Sequence, residues 1–122
     1  MPMGISRKNT RRLDPKLCYE LWGRTGSVYK IPQVLKNEYG VFNQTTGKPY
    51  SHQGCFLALG NYILENLVEA RPLFNQVWKA NGRIATDQDW YKFVLDKARY
   101  LTPKKFQEFM SIHSYLTPYL EQ

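Results

Sequence analysis

At Asp14-Pro15 and at Thr102-Pro103 a helix-capping side chain stands directly before a proline at the head of an apolar-periodic stretch, and each of these pairs predicts a helix start. The Asp or Thr oxygen accepts an orphan N–H of the first turn, while proline at the first helical position lacks only an N–H that has no partner there. After Asp14-Pro15, the residues Leu17, Leu21 and Trp22 form one apolar stripe, and Gly26 suits the left-handed stop. A second helix is expected from Ser27 or Ile31, with Ile31, Val34 and Leu35 on one face, an irregular first turn at Pro32 and a close at Tyr39-Gly40. Val41 to Pro49 is polar and rich in turn formers, so it reads as an extended turn. Ser51 then caps a third helix, running to Asn66, with Cys55, Leu59, Tyr62 and Ile63 facing inward.

The fourth helix is expected to begin near Pro72 and to end at Asn81-Gly82. Thr86 and Asp89 have the spacing of a capping box for a fifth, which carries Trp90, Phe93, Val94 and Ala98 on one side. The sixth follows Thr102-Pro103, turns Phe106, Phe109, Met110 and His113 inward, and is expected to fray near Thr117-Pro118. No segment alternates apolar and polar residues between hairpin turns, so the predicted class is all-α with six helices. A 122-residue chain with 43% hydrophobic residues can bury one core, either as a single domain or as two small units that share it. The expected organisation is a flexible basic arm over 1–13, a first helical unit over 14–66 and a second over 67–122.

An internal echo bears on that division. Leu17-x3-Leu21-Trp22-x3-Gly26 returns as Leu73-x3-Val77-Trp78-x3-Gly82; Ile31, Val34 and Leu35 match Trp90, Phe93 and Val94; Ser51 with Cys55 matches Thr102 with Phe106. Two tandem three-helix units and two unrelated helical halves both produce such a pattern.

The chain holds 17 Lys and Arg against 10 Asp and Glu, a formal charge of +7, which favours a polyanionic partner. Residues 1–66 carry nine of the cations and four of the anions, so the first half is the better candidate for a nucleic-acid face. Cys18 and Cys55 form no CxxC pair and have no histidine at ligand spacing, so neither a metal site nor a disulfide framework is expected. They read as small buried core side chains in a reducing compartment. The absence of a signal-like stretch and of a membrane-length apolar run leads to the expectation of a cytoplasmic protein with no membrane partner.

A helix, a short Gly-ended helix, a turn and a Ser-capped helix in succession are what a helix-turn-helix requires. The segment Ile31-Pro32-Gln33-Val34-Leu35-Lys36-Asn37-Glu38-Tyr39-Gly40-Val41, followed by Gly47-Lys48-Pro49-Tyr50-Ser51, resembles the helix-turn-helix of serine recombinases and related phage and transposon regulators. In that family an Ile-Ala-x-x-Leu-Asn-x-x-Gly-Ile helix leads through a Gly-Lys-Pro-Trp-Ser turn into the reading helix. The resemblance spans residues 15–64 and implies double-stranded DNA binding without strand cleavage. The chain differs at Pro32, where a small residue is usual, and at Gly54, Phe56 and Leu57, where polar or basic residues are common.

On that reading Gln53 is placed for a bidentate bond to adenine, beside His52, and Ser51 or the backbone of its turn for a phosphate. Lys48, Arg24 and the arm residues Arg7, Lys8, Arg11 and Arg12 are further phosphate candidates, and that arm also reads as a solvated tail. Lys104 and Lys105 would be a second reader if the repeat is real, or else a solvated helix start. Phe56 and Leu57 suit thymine methyls or packing, with packing favoured. Neither His52 nor His113 belongs to a catalytic set, and Asp87 and Asp89 suit a helix N-terminus, so no catalytic residue, metal or cofactor is expected. The expected role is a transcription regulator or a phage or mobile-element accessory factor, acting alone, as a dimer or in a larger nucleoprotein complex. The alternative is a helical adaptor or inhibitor whose aromatics and charge meet an acidic protein partner.

Overall fold

Asp14 accepts the Lys16 N–H at 3.0 Å, so α1 (Pro15–Thr25) starts at the expected cap, and Gly26 ends it at φ 77°, where a side chain would be strained. The computed structural model describes residues 9–120, with side chains from Arg12 onward. Beyond α1, the helices are α2 (Ile31–Asn37), α3 (His52–Glu65), α4 (Leu67–Ala80), α5 (Asp87–Ala98) and α6 (Pro103–Ile112). Single 3-10 segments occupy Val28–Lys30 and Ser114–Tyr119. The class is all-α, as expected. The chain divides into two compact units, Met1–Leu59 and Gly60–Gln122, and the division falls within α3.

In the first unit, Cys18, Leu21 and Trp22 of α1, Ile31 and Leu35 of α2, and Cys55 and Leu59 of α3 are buried. The 3-10 turn Val28–Lys30, capped by Ser27, leads straight into α2, which accounts for the irregular start at Pro32. Two strands were not anticipated. β1 (Asn9–Arg11) and β2 (Val41–Asn43) pair in parallel, with Asn9 opposite Val41 and Arg11 opposite Asn43. Parallel strands need a long crossover, which α1 and α2 supply, and three residues are too few for an alternating pattern to register. Part of the basic arm is therefore strand, and part of the extended turn is its partner.

The second unit is organised on Phe74 of α4, whose side chain is fully buried. Its ring centroid lies 5.1 Å from Trp78, 5.2 Å from Trp90 and 4.6 Å from Phe93, distances at which tilted aromatic pairs attract. Gly60 of α3 lets the stem of Lys97 approach: a Cβ there would sit 3.3 Å from Lys97 Cδ. Only 7% of Lys97 is exposed, and its ammonium stands 4.5 Å above the Phe93 ring and 3.6 Å from Asp96. Burial lowers its pKa, and Asp96 opposes that shift.

Two helix boundaries correct the sequence reading. Helix α4 starts at Leu67, with Pro72 inside it, because Asn66 alone separates α3 from α4 and its carbonyl already accepts the Ala70 N–H at 2.9 Å. Pro72 is on the exposed side, where the carbonyl of Val68, lacking a Pro72 N–H, can face water. After α6 the chain does not fray at Thr117-Pro118 but forms the 3-10 segment, with Leu116 fully buried.

The capping box of α5 is complete: Thr86 Oγ1 accepts the Asp89 N–H at 3.2 Å, and Asp89 Oδ2 accepts the Thr86 N–H at 2.9 Å. The Thr86 N–H, and after it the Thr86 hydroxyl, donating to Asp89 Oδ2 hold the Asp89 carboxyl below its ordinary value, so its contribution is present above that value and lost as pH falls through the lowered one. Thr86→Ala is expected to lower stability by about 1 kcal/mol, read as a shift in urea midpoint with unchanged slope.

Candidate nucleic-acid interface

Helix α3 is rooted by its later turns and exposed at its first. Ser51, His52 and Gln53 are exposed, whereas Cys55 and Leu59 are buried. Ser51 Oγ accepts the Gly54 N–H at 3.1 Å, so its side chain serves as the cap, with its own hydroxyl hydrogen left to donate. A Cβ at Gly54 would lie 3.5 Å from that Oγ, an ordinary contact, so space there does not demand a glycine. Phe56 is half-buried and Leu57 is 44% exposed, which leaves Leu57 open to either of its two readings.

Lys48 is exposed at the end of a closed turn. The Asn43 N–H donates to the Lys48 carbonyl and the Gly47 N–H to the Asn43 carbonyl, both at 2.8 Å. Asn43 Oδ1 accepts the N–H of Thr45 at 2.7 Å and of Thr46 at 3.2 Å. From Asn37 to His52 the connection is longer than the roughly three to four residues of a minimal helix-turn-helix turn, because it holds β2 and this turn.

Beside the first turn of α3 lies an aromatic residue that periodicity did not flag. Tyr29 is 71% exposed, and its ring centroid is 4.9 Å from that of His52. The Ser27 hydroxyl accepts the Tyr29 N–H at 3.2 Å, fixing the 3-10 turn that carries the ring. The two rings, tilted 37° to one another, give the helix start an exposed aromatic flank.

The remaining candidates are distributed differently. Arg12 is exposed; Arg7 and Lys8, and the side chain of Arg11, lie outside the described residues. Arg24 donates to Glu38 Oε1 at 2.7 Å, with the side chains 53% and 48% exposed, an ion pair that raises the guanidinium pKa. Such a surface pair is weak, so Arg24 is tethered rather than withdrawn. Lys16, Lys30 and Lys36 are exposed cations of the same unit that motif reading passed over. Lys104 and Lys105 are exposed on the first turn of α6, in the second unit, where the Lys105 N–H reaches Thr102 Oγ1 at 3.4 Å. His113 is half-buried, with Nδ1 3.2 Å from the Tyr115 hydroxyl and its ring 4.5 Å from Phe109.

Cys18 and Cys55 are buried, as expected, and their thiols are in contact across α1 and α3. That contact first, and burial second, push the Cys18 thiol well above its ordinary range. The same contact lowers the Cys55 thiol, so only Cys18 is made a poorer nucleophile, and both act here as buried core side chains. Among the described residues, no group of three His, Cys, Asp or Glu side chains is placed to hold a metal ion, and no helix is long and apolar enough to cross a membrane.

No family model, curated protein or solved structure matches this chain. The candidate site consists of a helix start with exposed polar side chains, an aromatic pair beside it, and several exposed cations on the same unit.

Proposed function

We propose that the first unit binds double-stranded DNA without catalysing a reaction on it, offering the first turn of α3 to the major groove. The observation that carries this reading is the inversion along α3, where Ser51, His52 and Gln53 are exposed while Cys55 and Leu59 are buried. A helix anchored in that way presents its N-terminal turn outward, the part that a reading helix places against base edges. The turn also carries the positive end of the helix dipole, which favours phosphate. Gln53 has the paired donor and acceptor that match adenine, and Lys48 has a point charge for the backbone. The roles that fit are a transcription regulator or an accessory factor of a phage or mobile element. The resemblance of residues 15–64 to recombinase helix-turn-helix segments supports the same reading.

Paired substitutions test it. Lys48→Ala is expected to weaken binding to every duplex about equally and to reduce the salt slope by about one unit. Gln53→Ala is expected to lower the preference for a site selected from random duplexes by about 1–3 kcal/mol while leaving non-selected duplexes nearly unchanged. Equal effects of both substitutions on all sequences would remove α3 from the reading role.

A further inference from the structure

The second unit carries an open groove of about 660 Å³ along α4 and α5, closed at one side by the 3-10 segment Ser114–Tyr119. Its lining includes Val68, Arg71, Pro72 and Asn75 from α4, Tyr91 from α5, and Tyr115. The Tyr91 and Tyr115 rings meet edge to face at 5.8 Å and form one wall. We propose that this groove docks an acidic, apolar segment of a partner protein, with Arg71 taking a carboxylate and the tyrosine wall taking the apolar side chain beside it.

Charge decides the sign of the occupant. Among the described residues that line the groove, Arg71 is the one that is charged. Asp87, at the start of α5, holds one terminal nitrogen of its guanidinium. A guanidinium has five N–H donors in a planar fork, so a bond at one nitrogen leaves donors for a second carboxylate. Asn75 adds an amide. Pro72 adds an acceptor, because the Val68 carbonyl receives no N–H from it, and a bound peptide N–H can satisfy that oxygen.

Exposure decides the size. Val68 is 92% exposed and Tyr115 54% exposed, both at the groove. Covering a side chain so exposed in full takes a body that continues past the rim of the groove. Duplex DNA fits this groove poorly, since one arginine in an apolar trough offers a single phosphate contact. The inference is independent of the DNA reading, which concerns the first unit.

The test uses the full chain, labelled with 15N, and a synthetic peptide in which Asp and Glu alternate with Leu and Phe. Its counterpart carries Lys at each acidic position. The acidic peptide is expected to shift the amides of Val68, Arg71, Asn75, Tyr91 and Tyr115, and the lysine peptide is not. Arg71→Gln is expected to weaken the acidic peptide about tenfold or more, the effect of losing a charge-assisted bond. Arg71→Glu is expected to reverse the preference. Thermal melting of each variant checks its fold, and if Arg71→Glu does not fold, Arg71→Gln carries the comparison. Equal binding of the two peptides, shifts lying elsewhere, or an unchanged affinity in folded Arg71→Gln would overturn the proposal. So would the same shifts produced by random-sequence duplex DNA, or by concentrating the chain alone, which would assign the groove to nucleic acid or to a second copy.

Discussion

Phe74→Ala is expected to destabilise the second unit by about 3–5 kcal/mol, a large part of the roughly 5–15 kcal/mol that holds a domain of ordinary stability together. The ring is fully buried and contacts Trp78, Trp90 and Phe93, so its removal deletes three aromatic pairs as well as apolar area, and leaves a cavity among side chains too large to close it. Trp78 and Trp90 report the change directly through fluorescence during urea unfolding. Phe74→Leu keeps most of the volume and is expected to lose much less, about 1–2 kcal/mol. A loss below 1 kcal/mol for Phe74→Ala would mean that the unit is not organised on this ring.

The second large effect is on binding. If about six phosphates are contacted, affinity for duplex DNA is expected to fall about a thousandfold between 50 and 200 mM salt, because each contact releases condensed counterions. The exposed cations Arg12, Lys16, Lys30, Lys36 and Lys48 of the first unit are enough to make most of those contacts. Fluorescence anisotropy of a labelled duplex over a salt series measures the slope. No binding at low salt, or a flat slope, would remove DNA as the partner and leave the protein-binding groove as the chain's principal recognition surface.

The parts of the fold legible in the sequence are those made by local bonds. Asp14, Thr86 and Thr102 each accept an N–H two or three residues on, and Gly26 and Gly82 stand at φ 77° and 80° in corresponding places of the echoed segments. Chemistry of that range is written in neighbouring letters. The start of α4 was not legible, because Pro72 looks like a helix opening and the actual break is a single Asn66 whose side chain bonds back to the Tyr62 carbonyl at 2.9 Å. The strand pair was not legible either, since each strand has three residues and its partner lies across two helices.

Within the candidate site the same distinction holds. The exposure of Ser51, His52 and Gln53 follows from the cap and from the inward stripe of Cys55 and Leu59. The Tyr29 and His52 ring pair, the Arg24 and Glu38 ion pair and the contact between Cys18 and Cys55 do not, because each joins residues that only the tertiary fold brings together. Lys97 is the clearest case: as a letter it marks a solvated face, yet its stem fills the space opposite Gly60.

The turn that ends at Lys48 has a thermodynamic consequence. Asn43 donates or accepts in four hydrogen bonds there, through its N–H, its carbonyl and its amide oxygen, so residues 43–48 have lost their backbone freedom on folding rather than on meeting a ligand. Ordering a mobile loop at an interface subtracts conformational entropy from the free energy of association. A lysine carried on a turn already ordered brings its charge to a phosphate with only its own side-chain rotamers left to restrict.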